Sequence, residues 1–206
     1  MKKLIAGLDE VGMGCLAGPL VVVVAAFDQK KDPLEGVADS KTLTPKKREE
    51  LVPSITKYAD YLGFGWADNE FIDKYGISVA WQHAAAQAVG TWKFHELMVD
   101  GDRRVDNYPR RQNTYRKGDA RFWQIGAASI VAKVFRDREM VRYHNENPLW
   151  GWNGNAGYGT RSHYEAVFAY GLSRWHRRSF FKGKKFKAQL RERNKFEIHP
   201  SLEEFR

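Results

Sequence analysis

Cysteine is nearly absent. Cys15 stands alone among 206 residues, which excludes an internal disulfide and any zinc site built from several cysteines. A lone small thiol in apolar company reads as a buried packing residue. Long apolar runs are missing too. The longest, PLVVVVAAF, falls well short of a membrane span, and the start, MKKLIAGLDE, has too short an apolar stretch before Asp9 for a secretory signal. The chain therefore reads as cytoplasmic, with no membrane partner. Internal repeats and a Ser-His-Asp motif are also lacking.

Acids are outnumbered, 25 against 34 Lys and Arg, for a net charge of +9 and a sequence pI of about 9.6. A basic chain of this kind suits a polyanion, most often nucleic acid. The charge is uneven. From Arg174 to Lys187 seven basic residues occur with no acid, whereas a merely solubilising surface intersperses signs. The segment RRVDNYPRRQNTYRKGDAR is also basic but carries Asp106 and Asp119.

The 43% apolar content supports one domain with a full core and a small appendage. LIAGLDE and the Val-rich PLVVVVAAF read as an antiparallel strand pair across a Gly-rich connection. Thr44 and Pro45 read as N-cap and first residue of a helix. YADYLGFGWAD is a third strand. A helical stretch from Asn69 to Phe94 is broken at Gly76, and a fourth strand ends at Asp100-Gly101. The polar stretch that follows reads as a loop with room for a short strand. A long helix runs from Ala120 towards Pro148, WGWNGNAGYGT reads as a loop, and a short helix stops at Gly171. The segment after Phe181 reads as a helical tail or as disordered. Strands first and helices later fit a mixed α/β sheet with a helical C-terminal part.

Asp9 and Glu10 are adjacent acids in the first strand. Successive strand side chains face opposite ways, so both cannot enter the core on one side, and neither is buried without a partner at low cost. One reading has both solvated at the start of a turn. The other has them bind a cation from two sides. Asp100 at a strand end and Asp119 before the long helix favour the second. Four carboxylates, with no His or Cys cluster nearby, suit a pair of Mg²⁺ or Mn²⁺ ions ~3.5–4 Å apart, the geometry that clamps both oxygens in phosphodiester cleavage. Asp102, Asp106 and Asp137 are competitors, Asp137 reading as an ion-pairing helix residue.

GLDEVGMGCLAGPLVVV, DSKTLT, VDG, KGDA, AASIVAKVFRD, GYGT and HRRSF occur in this order over nearly all of residues 4 to 181. In these motifs the chain resembles the ribonuclease HII family, which nicks duplexes 5′ of a ribonucleotide. The resemblance implies a ribonuclease H-like mixed sheet flanked by helices. It also implies a catalytic core over 1–148 and a helical, basic, substrate-contacting segment over 149–206. Asp9, Glu10, Asp100 and Asp119 become the catalytic and metal-binding acids of a two-metal Mg²⁺ or Mn²⁺ site. Products carry a 5′-phosphate and a 3′-hydroxyl, and no serine nucleophile is needed at Ser40 or Ser129. The implied partner is an RNA–DNA hybrid or ribonucleotide-containing duplex, met by a monomer.

The resemblance extends to substrate contacts. Tyr158 lies where the family packs a tyrosine against the sugar beside the ribonucleotide, and an aromatic on a Gly-rich loop suits stacking. Ser40 and Lys41 fall in the segment near the substrate backbone. Arg177 and Arg178 suit phosphate oxygens, with Phe180 in the core. Lys133 reads as a solvated helix lysine. Trp150 and Trp152 are assigned only to packing or stacking.

One departure stands out. The family usually has Gly-Arg-Gly where this chain has Gly12-Met13-Gly14, a motif that reads the ribose 2′-hydroxyl through main-chain groups. Both glycines are kept, but Met13 offers no guanidinium. A charge-assisted hydrogen bond is worth ~1.5–3 kcal/mol, roughly tenfold to a hundredfold in binding or rate. Two alternatives follow. One is hybrid-only cleavage of the ribonuclease HIII kind, which also lacks that arginine but usually carries an N-terminal substrate-binding domain. The other is a non-catalytic nucleic-acid-binding descendant, which has no use for four acids beside a polyanion.

Overall fold

The computed structural model describes residues 2–37, 43–192 and 198–205. The Asp39-Ser40-Lys41 stretch, expected beside the substrate backbone, lies outside the described residues. Contacts group the chain into two units. The first comprises Met1–Val11, Leu20–Ala67 and Ser78–Arg136, and the second Gly12–Pro19, Asp68–Ile77 and Asp137–Arg206.

The first unit is a five-stranded mixed sheet in the order β3-β2-β1-β4-β5. β1 (Leu4–Val11) and β2 (Leu20–Asp28) pair antiparallel, as expected from the sequence, and β3 (Tyr61–Ala67) continues antiparallel on β2. β4 (Glu96–Asp100) lies parallel to β1, and the short β5 (Gln112–Tyr115) parallel to β4. Because β1 and β4 run the same way, Asp9, Glu10 and Asp100 reach the same edge of the sheet, the carboxyl end where open α/β sheets form crevices.

Register fixes the faces. Asp9 pairs with Val23 and Glu10 with Val22, so the two acids project to opposite sides. The Asp9 side carries Val21, Val23, Ala25 and Phe27, packed with Ala127, Ala128, Ile130 and Val131 of α4 (Trp123–Glu146) and with Ile55 of α1 (Pro45–Tyr58). Gly7 lets α4 approach, since a Cβ there would lie 2.2 Å from the Gln124 carbonyl carbon. On the Glu10 side, Cβ atoms at Gly63 and Gly65 would strike the carbonyls of Ala88 and Ala84 in α3 (Ile77–Val89), so glycine is what lets that helix sit on β3. Thr44 caps α1 as the sequence predicts, its hydroxyl accepting from Lys47 N–H.

The helical stretch expected over 69–94 breaks at Gly76, with φ of 82°, as expected, into α2 (Asn69–Tyr75) and α3, and ends earlier, at Val89. The long helix starts three residues later than expected. Gly118–Ala120 form a 3-10 turn first, because Asp100 Oδ1 accepts the Gly118 N–H and holds the chain there.

The second unit has a core of Met140, Tyr143, Trp150, Trp152, Val167, Phe168, Phe181, Phe186 and Leu190. The expected loop after Pro148 contains the short α5 (Trp152–Asn155), and α6 (Arg161–Tyr170) follows, capped by Thr160. Trp150 and Trp152 are buried, stacked at 5.2 Å, and donate to Gly171 O and His163 Nε2. Packing is therefore their role. Phe181 fills the core, while Phe180, expected there, is only half-buried against it. The choice left open for the tail is settled by α7 (Lys184–Arg191), which buries Phe186 and Leu190 while Leu202 and Phe205 close over the same cluster. Among the described residues no helix is long and apolar enough to cross a membrane.

Candidate active site

A cavity of about 300 Å³ at the carboxyl edge of the sheet is lined by Asp9, Glu10, Asp100, Asp119, Ser129, Lys133 and Arg48. The four acids read from the sequence thus meet in one place. Neighbours hold Asp9, Glu10 and Asp100. Asp9 is 6% exposed, takes the Glu10 amide at 2.7 Å, and is hydrogen-bonded by Ser129 from α4. Glu10 Oε2 accepts from Trp81 Nε1 at 3.1 Å, across from α3. Asp100 Oδ1 takes the Gly118 amide at 2.6 Å, which also fixes the turn carrying Asp119, itself 3% exposed.

Burial and mutual repulsion dominate the electrostatics of Asp9 and Glu10. Burial pushes the Asp9 carboxyl well above the usual aspartate range, against the Ser129 hydrogen bond, with Glu10 and Asp100 adding repulsion. Burial also raises Glu10, opposed chiefly by the Trp81 hydrogen bond. Hard oxygen donors in a His- and Cys-free cavity fit Mg²⁺ or Mn²⁺, and a divalent cation offsets the charge concentrated there. Among the described residues no three His, Cys, Asp or Glu donors already stand at ligand-cluster spacing.

Of the competitors, Asp102 and Asp106 do not line this cavity. Asp102 is exposed and pairs with Arg116 at 3.5 Å, and Asp106 lines a separate cavity with Trp92 and Tyr108. Lys133, read as solvated, is half-buried and lines the acid cavity. Ser129, Trp81 and Arg48 were not singled out as site residues by sequence reasoning. A β-strand alternation argument signals that Glu10 needs a partner on its own face, but it does not say which helix supplies it.

In the second unit the structure brings together the Gly12–Pro19 loop, the loop of Tyr158, and Arg177. Leu16 N–H donates to Gly157 O at 2.8 Å, and Gly157, at φ of 78°, passes so close that a Cβ would lie 2.6 Å from Ala17 O. Tyr158 is 40% exposed while its carbonyl accepts from His163 Nδ1 at 2.9 Å. His163 and His176 form a buried relay. His163 Nε2 accepts from Trp152 and from His176 Nε2 at 3.0 Å, and His176 Nδ1 accepts from Ser173. Both rings are neutral in that network, with burial pushing His176 well below the usual histidine range and His163 below it.

Arg177 corrects an expectation. It is fully buried and donates to Gly18 O at 2.9 Å, Gly12 O at 2.6 Å and Met13 O at 3.2 Å, so it does not present its guanidinium to a phosphate. Arg178 is at the surface, paired with Glu204, with its amide on Asp73. Gly14 is exposed and Met13 half-buried.

Comparison with known proteins places this arrangement. The family profile described as Ribonuclease HII matches residues 6–183. Ribonuclease HII of Lactobacillus gasseri is 44% identical over 181 residues, covering 87% of this chain and 71% of its own. That of Anaplasma marginale is 41% identical over 182 residues, covering 86% and 74%. The crystal structure of ribonuclease H2 from Pyrococcus horikoshii superposes with a TM-score of 0.74 at 26% identity, covering 92% of this chain and all of that one. The profile match and the shared length show that the chain belongs to the ribonuclease HII family and is a ribonuclease H endonuclease.

Proposed function

We propose that the cavity of Asp9, Glu10, Asp100 and Asp119 is the hydrolytic site. There the enzyme cuts the RNA strand of RNA–DNA hybrids and at ribonucleotides embedded in duplex DNA, leaving a 5′-phosphate and a 3′-hydroxyl. The observation that carries this reading is four carboxylates from β1, β4 and the turn before α4 lining one cavity. Those acids would hold a pair of Mg²⁺ or Mn²⁺ ions. When bound, the pair supplies Lewis acidity toward the phosphodiester and eases deprotonation of the attacking water.

The chain's own residues do the rest. Ser129 and the Glu10 amide orient Asp9, Trp81 orients Glu10, and the Gly118 amide orients Asp100. Arg48 and Lys133 put cations on the cavity wall, where they suit phosphate oxygens. In the second unit Gly12 and Gly14 allow the main chain close to the ribose, the partly exposed Tyr158 suits packing on the neighbouring sugar, and Arg178 is a surface cation for the backbone. Ser40 and Lys41 are proposed as further backbone contacts. The test is metal dependence with product analysis. Protein stripped with EDTA is inert, and added Mg²⁺ or Mn²⁺ restores cuts ending in 5′-phosphate and 3′-hydroxyl. Cutting in excess EDTA, or 2′,3′-cyclic phosphate ends, refutes the proposal.

A further inference from the structure

We infer that Arg177 is the positioning residue that aims the Met13 and Gly14 amides at the ribonucleotide, so that sugar recognition rests on a guanidinium held behind the loop rather than on side chain 13. The inference rests on the main-chain reading of the ribose given above and goes beyond it by naming what sets that main chain.

Three observations lead there. First, Arg177 is fully buried, and its guanidinium donates to carbonyls of one loop, those of Gly12, Met13 and Gly18. Second, a trans peptide is planar, with each C=O antiparallel to the next residue's N–H. The chain has no cis peptide among the described residues. Gly12 C=O turned onto the guanidinium therefore turns Met13 N–H away from it, and Met13 C=O does the same for Gly14 N–H. Third, away from Arg177 is toward the surface, since Gly14 is exposed and Met13 half-buried while Arg177 has no exposure. Two successive amides pointing outward form a concave donor pair suited to a hydroxyl or phosphate oxygen.

The loop is fixed at further points. Gly12 takes φ of 99°, which glycine accepts readily. Gly18 N–H donates to Trp175 O at 2.9 Å and Arg177 N–H donates to Leu16 O at 2.8 Å, so the segment carrying Arg177 is tied to the loop at two backbone points. The Arg177 guanidinium also lies 5.2 Å from the Phe180 ring centre, which fixes its plane. Lysine keeps the charge but not the fork that reaches three carbonyls at once.

The experiment compares kcat/KM on a DNA duplex carrying one ribonucleotide with that on a full RNA–DNA hybrid, for wild type and Arg177→Lys, both verified folded by circular dichroism. The hybrid offers many registers and tolerates a loosely held loop, so the ratio of single-ribonucleotide to hybrid cutting falls at least tenfold in Arg177→Lys. An unchanged ratio, including an equal loss on both substrates, overturns the inference. A second measurement needs no Arg177 variant. In Asp100→Asn protein, amide hydrogen exchange at Met13 and Gly14 slows on binding the one-ribonucleotide duplex and not on binding the same duplex in all-DNA form. Equal protection by both, or none, overturns it as well. Failure of the carboxylate site would show separately, as cutting by Asp100→Asn.

Discussion

Gly14→Ala separates what the protein needs to fold from what it needs to read its substrate. A Cβ at Gly14 meets nothing within 4 Å, and Gly14 is not among the glycines with positive φ. The folded state therefore accepts the methyl. Removing a glycine's freedom from the unfolded chain stabilises by about 0.4–1 kcal/mol. For a chain of this size each kcal/mol moves Tm by about 2–4 °C, so Tm rises by about 1–4 °C. Function moves the other way. If the Gly14 amide touches the ribose, the added methyl stands in the substrate's place and displaces it by about 1 Å, a shift that costs on the order of 100-fold in rate. That is about 2.7 kcal/mol of transition-state stabilisation. The assay is kcat/KM on a one-ribonucleotide duplex beside a thermal melt. Gly12→Ala is the contrast, since its φ of 99° strains any side chain, so it loses stability and activity together. Full activity in Gly14→Ala, with Tm kept, would refute close approach at this loop.

Met13→Arg supplies a guanidinium at the loop tip and should raise kcat/KM on the one-ribonucleotide duplex roughly tenfold to a hundredfold, with a smaller gain on the hybrid; no change on either substrate would show that side chain 13 is indifferent. Asp9→Asn should abolish cutting yet raise Tm in EDTA, because it removes a carboxylate that burial and two like charges disfavour; an unchanged or lower Tm counts against that electrostatic account. Stability should also fall on acidification below pH ~6.5. His163 and His176 are held neutral in the fold and protonate when it opens, so the unfolded state binds more protons and each histidine removes up to about 1.4 kcal/mol per pH unit. Tm measured from pH 7.5 to 5.5 checks this, and a slope no steeper than that of the His163→Gln/His176→Gln double variant would contradict it.

Much of the site was legible because it is local in sequence. Asp9 and Glu10 announce themselves as acids in an apolar strand, and Asp100 and Asp119 as acids where strand and turn end. The sheet edge then collects them because β1 and β4 run parallel. What stayed hidden was long-range. Nothing near Arg177 in sequence says that its guanidinium belongs to residues 159 to 165 positions earlier, and a basic run is naturally read as a phosphate surface. The tail stayed undecided between helix and disorder for a related reason. Its charge run masks the apolar pair Phe186 and Leu190, four residues apart on one helix face and both buried. Trp81 carries no polar motif, and its contact with Glu10 depends on α3 lying close on glycines of β3.

The most direct test of the account is a pair of substitutions two residues apart, assayed on a one-ribonucleotide duplex in Mg²⁺. Asp100 lines the carboxylate cavity, whereas Asp102 has its side chain 70% exposed and paired with Arg116. Asp100→Asn is predicted to lose cutting by at least a thousandfold, while Asp102→Asn stays within a few-fold of wild type. Retained activity in Asp100→Asn, or the reverse order of the two variants, would contradict the assignment of the hydrolytic site to this cavity.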